Sequence, residues 1–479
     1  MPTELGYFAI GSNRGLVIIQ HIAQALSNGG RSSLGDGRFS GGMHCRIANN
    51  FNTGWMYNNI RGAFLSDTST TNITGSELLA NPGPSFSNTN NWYLDASNQT
   101  SGTIATLTIS SGRLVFTHSN TNSYWDGFGA SFSCTVGEVY VVVADIHSAT
   151  NMNVLRISNT ASQHDAQIAT TGTNVAGVHC HTFTATATTM YLHWNGYTNT
   201  SAMQLNSVSV RIAEEDRSVR DNGLQVFGTI TKSAVATGAE LVGYSGFSSS
   251  NYFQQRGNDK ILFGTDDFSI IFWFKLTAAG NDNQTLIDIS SSDGGVGDPR
   301  LRIHQMSSPT GSVRFYTSNG NVVSTSNSIS AGWTCVAAVR RSDDLELYIN
   351  GRLEGSGSTS NSNFNSTSGQ MKIGIDGDNS DPLDNGSIAL VRISKGAASA
   401  EQVKKIYNDE KCLFHENAKC TLHGTSDDIK AIAYDESNNI THVGTSAGRS
   451  EFVGLNRIDN TTTAVTTKIS VSDKFIAEQ

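Results

Sequence analysis

The stretch Phe268-Ser-Ile-Ile-Phe-Trp-Phe-Lys-Leu276 is the most aromatic run in the chain and carries apolar residues at both odd and even positions. Aromatic and β-branched side chains fit a pleated, buried surface. A strand that is apolar on both faces belongs between packed layers, so this stretch predicts the central strand of a sandwich core. Turn residues separate the alternating runs that follow it: Gln284–Ile289, Leu301–Met306, Ser312–Tyr316, Trp333–Arg340, Leu345–Ile349 and Met371–Ile375.

Two local signals set the order of the elements after this strand. Asn350-Gly351 predicts a tight hairpin, because a type I′ turn needs positive φ at both central residues. Ser399, with Gln402 three residues later, predicts the start of a short helix that runs to Tyr407. The pieces FSIIFWFK, WTCVAAVRRSDDLELYINGRLEG and IALVRISKGAASAEQVKKIY together resemble the laminin G-like, concanavalin A-like lectin/glucanase sandwich, which would span residues 250–410.

Residues 78–213 have a different pattern, with short alternating runs spaced about ten residues apart, which is typical of a second sandwich. The pieces ELLANPGPSFSNTNNW, GEVYVVVADI and QLNSVSVRI in this range resemble a jelly roll of the carbohydrate-binding-module type. The two resemblances together imply an all-β protein of tandem β-sandwiches, with the jelly roll first and the laminin G-like sandwich second.

Three further segments complete the predicted organisation. Residues 1–77 are expected to form an N-terminal adaptor with a short amphipathic helix, because apolar residues between Leu16 and Leu26 recur at helical spacing. Residues 214–249 begin with a charged patch and are expected to connect the two sandwiches. Residues 411–479 are expected to form a C-terminal β segment that resembles a single propeller blade.

Composition narrows the classes of function. Only 15% of the 479 residues are charged and 47 are glycine, which is typical of a loop-rich β protein. The formal net charge of −9, without a basic stripe, argues against a nucleic-acid partner. No apolar run reaches the roughly 18 residues of a membrane-spanning helix, so membrane insertion is not expected. Six scattered cysteines do not make a disulfide framework, which indicates synthesis in a reducing cytoplasm with free thiols.

Aromatic side chains are the candidates for glycan binding. Trp92, Trp125 and Trp194 are predicted to stack on sugars, with the alternative that they belong to sandwich cores. No catalytic or cofactor-binding residue is predicted. Neither the paired carboxylates of a retaining glycosidase nor a nucleophile elbow occurs, and Glu346 stands alone on its strand.

Two groups of residues are candidate metal ligands. Asp376, Asp378 and Asp381 supply hard oxygen ligands in a loop, which suits Ca²⁺, and laminin G-like domains often bind calcium at a rim. The alternative is a solvated loop, and all three aspartates are expected on a solvent-facing rim in either case. The segments Cys412–His415 and Cys420–His423 have the ligand types of a zinc site, with ordinary buried cysteines and surface histidines as the alternative.

The order of the units, together with the C-terminal phrases AIAYDESNNITHVGTSAGRSEF and GLNRIDNTTTAV, resembles structural proteins of tailed bacteriophages, particularly of marine phages. This resemblance implies a virion protein made in the host bacterial cytoplasm. It would act as a tail fibre or tail-associated appendage that binds host-surface glycans. One alternative is a purely structural tail or capsid component, and another is a glycan-degrading enzyme.

The expected partners follow from this interpretation. They are further copies of the chain, other tail proteins of the virion and a host-surface polysaccharide. A closed homo-oligomer, most simply a homotrimer, is expected because the adaptor and the lone blade-like unit each lack a complete core. A closed propeller needs at least four blades, and this chain has room for one.

Overall fold

The computed structural model describes residues 6–12, 15–21, 43–57, 59–95, 104–119, 126–161, 168–169, 174–196, 200–257, 263–277, 283–290, 300–308, 311–318, 320–324, 329, 332–358, 363–364, 369–472 and 475–479. Within these ranges nearly all regular structure is strand, and one α-helix occurs, so the predicted all-β class is confirmed. No helix in them has the length and apolarity needed to cross a membrane.

An N-terminal sheet stands where a helix was predicted. Its strands pair in sequence order and are β1 (Gly6–Ser12), β2 (Gly15–His21), β3 (Met43–Ile47) and β4 (Met56–Tyr57). The helix predicted between Leu16 and Leu26 is wrong over its described part, 16–21, which lies in β2. Val17, Ile18 and Ile19 are β-branched, which favours a strand over a helix, and residues 16–18 are buried.

The jelly-roll sandwich has two facing sheets. After β5 (Asn59–Phe64) and β6 (Ile73–Gly75), its strands are β7 (Trp92–Asp95), β8 (Ile104–Ser110), β9 (Arg113–Ser119), β10 (Gly127–Ser133), β11 (Val139–Thr150), β12 (Arg156–Ser158), β13 (Ile168–Ala169), β14 (Gly177–Thr184), β15 (Thr189–Asn195) and β16 (Ala202–Glu214). One sheet has the order β13-β12-β15-β10-β7, and the other has the order β8-β9-β16-β11-β14. Phe128, Leu192 and Val210 belong to the core between them.

The second sandwich also has two sheets. Its strands and the helix that follows are β17 (Leu224–Ala234), β18 (Val242–Ser245), β19 (Tyr252–Arg256), β20 (Phe268–Leu276), β21 (Gln284–Ser290), β22 (Arg300–Met306), β23 (Ser312–Thr317), β24 (Gly320–Val323), β25 (Thr334–Arg341), β26 (Asp344–Ile349), β27 (Arg352–Ser358), β28 (Gln370–Ile373), β29 (Gly386–Lys395) and α1 (Ala400–Glu410). One sheet runs β27-β26-β25-β20-β29-β5. The other runs β17-β19-β28-β21-β22-β23-β24.

Strand β20 is central, as predicted. It pairs with β25 on one side and with β29 on the other. The even-numbered side chains from Phe268 to Phe274 lie in the core between the two sheets. Ile271 and Trp273, on the opposite face, lie in a second core outside the sandwich. Two separate cores therefore explain why this stretch is apolar at both odd and even positions.

The jelly roll is inserted into the second sandwich. Strand β5 pairs with β29, and β6 pairs with β17, so the chain contributes to this sandwich both before and after residues 78–213. Phe64, Leu224 and Tyr244 belong to its core. The predicted boundaries therefore do not follow the sheets, since residues 224–249 are part of the sandwich and not a connecting segment.

The C-terminal segment forms its own small sheet. Helix α1 begins with the predicted capping box of Ser399 and Gln402, and a 3-10 turn, Lys411–Phe414, follows it. The remaining strands are β30 (Ile429–Asp435), β31 (Ile440–Thr445), β32 (Gly448–Val453), β33 (Asn456–Asn460), β34 (Ile469–Ser472) and β35 (Phe475–Glu478). Strands β30–β33 pair in sequence order as an antiparallel meander, and β34 and β35 make a separate hairpin.

The two ends of the chain pack together on the outer face of β20. We call strands β1–β4, helix α1 and strands β30–β33 the terminal cap. Leu16 from β2, Val403 from α1 and Phe452 from β32 share one core with Trp273. The N-terminal segment and the C-terminal β segment therefore complete a core within a single chain.

A buried ion pair joins the terminal cap to the sandwich. The Glu410 carboxylate at the end of α1 accepts hydrogen bonds from Arg392 Nη2 (2.7 Å), Trp273 Nε1 (2.7 Å) and the Trp55 backbone N–H (2.8 Å). Both charged side chains are almost completely buried. Since a buried charge is tolerated only when it is paired and hydrogen-bonded, these four groups hold three segments of the chain in one arrangement.

Candidate functional site

The predicted tryptophans do not form a binding surface. Trp194 is completely buried and Trp92 is 7% exposed. Both indoles pack against Phe128 in the jelly-roll core, with ring centroids 5.6 and 6.1 Å away. The prediction that Trp92 and Trp194 stack on sugars is therefore wrong, and the core alternative holds for them. Trp125 lies outside the described residues.

Only part of the acidic loop with Asp376, Asp378 and Asp381 lies on a solvent-facing rim, where all three aspartates were predicted. Asp378 is exposed, but Asp376 is buried at 2% exposure, so its predicted place on a solvent-facing rim is wrong. Two arginines on β22 reach the loop from the side. Arg300 and Arg302 lie 3.5 and 3.6 Å from the Asp376 carboxylate, and Arg302 lies 2.7 Å from that of Asp381. Burial raises the pKa of Asp376 to about 6.

These contacts do not fit a calcium site. The guanidinium groups of Arg300 and Arg302 already supply positive charge where Ca²⁺ would, whereas calcium requires six or more oxygen ligands around one point. Across the residues that the structure describes, no three His, Cys, Asp or Glu side chains are placed to share a metal ion. That finding covers the zinc pattern as well.

The jelly roll carries a polar and aromatic group on the outer face of one sheet. In β15 the side chains of Met190, Leu192 and Trp194 point into the core, so Tyr191 and His193 point outward. Tyr93 on β7 also points outward, because its neighbour Trp92 is in the core. We call Tyr93, Tyr191 and His193 the tyrosine–histidine face.

The sheet register brings these residues together. Tyr93, Gly129, His193 and Arg156 lie opposite one another on four adjacent strands. A Cβ atom on Gly129 would lie 2.6 Å from the Tyr93 hydroxyl oxygen, so glycine is required at the point where the Tyr93 side chain crosses β10. The hydroxyl then lies 2.7 Å from His193 Nδ1. The Tyr191 ring stacks on the His193 ring, with centroids 6.0 Å apart and planes at 12°.

Burial decides the charge state of this face. It lowers the pKa of His193 and raises the pKa of Tyr93, so near neutral pH both groups are uncharged. A neutral phenol and a neutral imidazole each offer both a hydrogen-bond donor and an acceptor. Tyr93 and Tyr191 remain partly exposed, while His193 lies beneath them. The partly exposed part of this face is therefore the two uncharged tyrosine side chains, with His193 buried below them.

One signal in the sequence indicates part of this face. The alternation in Met190-Tyr-Leu-His-Trp194 already places Tyr191 and His193 together on the side away from the core. The contribution of Tyr93 depends on pairing across 100 residues, from β7 through β10 to β15. No local pattern reports that pairing.

Comparison with known proteins identifies the second sandwich. Residues 247–404 match the family model of the concanavalin A-like lectin/glucanases superfamily, Laminin_G_3. The laminin G-like domain predicted from the sequence is therefore confirmed. No curated protein matches the chain by sequence.

Solved structures resemble parts of the chain at low identity. The CBM40 of the Ruminococcus gnavus IT-sialidase, bound to α2,3-sialyllactose, is 13% identical, with 30% of this chain and 83% of that one covered and a TM-score of 0.26. Domain 4 of the arabinanase AbnA from Geobacillus stearothermophilus, in complex with arabinotriose, is 18% identical, with 40% and 92% covered and a TM-score of 0.31. The botulinum neurotoxin serotype D binding domain is 16% identical, with 56% and 66% covered and a TM-score of 0.33.

Proposed function

We propose that the chain binds a glycan through the tyrosine–histidine face of its jelly roll. The observation that carries this proposal is the pair of partly exposed tyrosines held by His193, with the Tyr93 hydroxyl 2.7 Å from Nδ1. A sugar ring has apolar C–H surfaces that pack on aromatic rings, and hydroxyl groups that need donors and acceptors. Jelly rolls are a frequent architecture of lectin domains, which agrees with this use of the fold.

The test is a binding measurement on the full chain with matched tyrosine variants. An array of bacterial surface glycans identifies the bound sugar, and titration calorimetry then gives its affinity. We expect Tyr191→Ala to weaken binding at least about tenfold, because it removes a stacking surface and about 1.4 kcal/mol corresponds to that factor. The control is Tyr434→Ala, which removes a partly exposed tyrosine on β30, far from the jelly roll in sequence. Equal affinity of the Tyr191 variant and the unmodified chain would contradict the proposal.

The same proposal places the chain in the virion of a tailed phage, as a tail fibre or tail-associated appendage. It rests on the resemblance of the order of the units and of the C-terminal phrases to structural proteins of such phages. Partners would be other tail proteins and a host-surface polysaccharide. Immunogold labelling of particles with antibody against the purified chain tests this location. Labelled particles combined with no glycan binding would favour the purely structural alternative.

We further propose that the chain binds glycans without cleaving them. Retaining glycosidases need two carboxyl groups about 5 to 5.5 Å apart across the bond they cleave. Glu346 instead accepts hydrogen bonds from Arg341 Nε (3.2 Å) and the Tyr348 hydroxyl (2.8 Å), which engage both of its oxygens. Incubation of the purified chain with the glycans that it binds should release no new reducing ends. A time-dependent increase in reducing ends would show that it is an enzyme.

A further inference from the structure

A second polar surface lies on the outer face of the laminin G-like sandwich. In β22, Leu301 and Ile303 point into the core, so Arg302 and His304 point outward. In β23, Val313 and Phe315 point inward, so Arg314 and Tyr316 point outward. His304 and Arg314 are directly opposite each other in the register of the two strands. We call His304, Arg314 and Tyr316 the basic face.

His304 is a buried group with an unused hydrogen-bonding atom. The residue is 5% exposed, and its Nδ1 has no hydrogen-bond partner among the described residues. Burial, together with Arg302, Arg314 and Arg300, lowers the pKa of His304 to about 3. The imidazole is therefore neutral near pH 7, with three arginine side chains close enough to disfavour its protonation. A buried polar atom without a partner is unfavourable and needs an explanation, which a bound ligand would provide.

The three arginines around His304 differ in how their charge is balanced. Arg300 lies 2.7 Å from Asp288, and Arg302 lies 2.7 Å from Asp381. Arg314 has no carboxylate within ion-pair distance among the residues that the structure describes, and its Nε is buried without an acceptor. Its guanidinium instead lies 5.1 Å from the centre of the Tyr316 ring. The basic face therefore carries an uncompensated positive charge on a chain whose net charge is −9.

We propose that Arg314 and His304 bind the carboxylate or sulfate group of an acidic sugar. A guanidinium can hold two oxygens of such a group at once, and a neutral imidazole with its proton on Nδ1 can donate to a third contact. Tyr316, which is half-buried beside Arg314, supplies an aromatic surface for the sugar ring. The choice of a sugar as the carrier rests on the proposed glycan binding, whereas the anion site rests only on the basic face.

Titration calorimetry on the full chain tests this site, with glucuronate, glucose 6-sulfate and glucose as probes. We expect at least one charged probe to bind at least about tenfold more tightly than glucose, and its affinity to fall as salt increases. Whichever charged probe binds better identifies the carboxylate or the sulfate as the preferred group. Equal affinity for all three probes, or no binding of either charged probe, would overturn the proposal.

Single-residue variants test whether the basic face is the site. We expect Arg314→Gln to lose at least about tenfold in affinity for the charged probe, and His304→Gln to lose affinity in the same direction. Arg314 is only half-buried, so its variant keeps the test valid if the His304 variant does not fold. Arg352→Gln, at an exposed arginine on β27, should leave the affinity unchanged. Unchanged affinity in Arg314→Gln would refute the site even if the jelly roll binds glycans.

Discussion

At the scale of single residues, Trp273 joins the laminin G-like sandwich to the terminal cap. Its ring stacks on Phe414, with centroids 4.3 Å apart, and its Nε1 donates to the buried Glu410 carboxylate. We therefore expect Trp273→Ala to lower the free energy of unfolding by about 3 to 5 kcal/mol, because it leaves a cavity and removes one hydrogen bond to the buried Glu410 carboxylate. Urea unfolding measures this loss.

A second tryptophan provides the comparison for Trp273. Trp333 is only partly buried and donates from Nε1 to the Val235 carbonyl oxygen. Trp333→Ala should lower the free energy of unfolding clearly less than Trp273→Ala does, because folding buries less of the apolar surface of Trp333. Equal losses for the two variants, or no loss for Trp273→Ala, would show that the second core is not where the structure places it.

Glu214 makes the junction between the two sandwiches sensitive to pH. It lies at the end of β16 and accepts hydrogen bonds from Leu65 N–H (3.0 Å) and the Tyr244 hydroxyl (3.1 Å). Burial raises its pKa from 4.5 to about 7. At pH values between 4.5 and about 7, the Glu214 carboxyl group has released its proton in the unfolded chain but still holds it in the folded chain. The contribution of Glu214 to stability is therefore present at low pH and is lost as pH rises toward about 7.

We test this pH dependence by comparing the free energy of unfolding of Glu214→Gln with that of the unmodified chain. Replacing Glu214 with Gln removes the titrating group, so the free energy of unfolding of Glu214→Gln should fall less between pH 4.5 and 7 than that of the unmodified chain. Urea unfolding across this range measures both slopes, with the exposed Glu416→Gln as control. Parallel curves for Glu214→Gln and the unmodified chain would contradict this assignment.

At the scale of elements, the shared strands decide which fragments fold. A fragment of residues 250–410 lacks β5, β6, β17 and β18, which pair with the rest of the laminin G-like sandwich. Its core would also lose Phe64, Leu224 and Tyr244. We expect this fragment to unfold without a cooperative transition, as measured by circular dichroism on heating. A jelly-roll fragment of residues 78–213 should melt cooperatively, because its two sheets close around their own core.

The loop with Asp376, Asp378 and Asp381 offers a test of the calcium prediction. Because Arg300 and Arg302 already balance its buried charge, we expect a chelator to leave the melting temperature of the full chain unchanged. Differential scanning calorimetry with EDTA, and then with excess Ca²⁺, makes the comparison. A lower melting temperature in EDTA that Ca²⁺ restores would establish the calcium site, and loss of that effect in Asp378→Asn would assign it to this loop.

At the scale of the whole molecule, the two ends of the chain stabilise each other. Residues after 410 supply Leu413, Val443 and Phe452 to the core that also holds Leu16 and Ile18 from β2. Truncation after residue 410 should therefore release strands β1–β3 as well as removing the C-terminal sheet. Hydrogen exchange measured by mass spectrometry should then show loss of protection at residues 15–21 and 43–47. Retained protection there would mean that the N-terminal sheet is stable without its partner.

The core shared by the two ends of the chain also removes the reason for expecting an oligomer. A homotrimer was expected because the adaptor and the blade-like unit each lacked a complete core, but the two share a core with β20 and α1 in one chain. The homotrimer stays a prediction, but incomplete cores no longer support it. Light scattering at micromolar concentration decides it, since a stable monomer would exclude a trimer.

Local patterns in the sequence were sufficient to predict the class of fold. Alternation with a period of two depends only on neighbouring residues, so the strands of both sandwiches, the central position of Phe268–Leu276 and the helix after Ser399 were predictable. The same local reasoning failed at Leu16–His21, where β-branched residues at both parities satisfied a helical pattern and a strand pattern at once.

Only the tertiary structure decided what depends on contacts between distant parts of the chain. These are the insertion of the jelly roll, the burial of Trp92, Trp194 and Asp376, and the meeting of Tyr93 with His193. The physical reason is that alternation states which side chains share a face of a strand, but not whether that face meets solvent, another sheet or the far end of the chain. Strand pairing across 100 residues leaves no mark on the local sequence, and that pairing brings Tyr93 to His193.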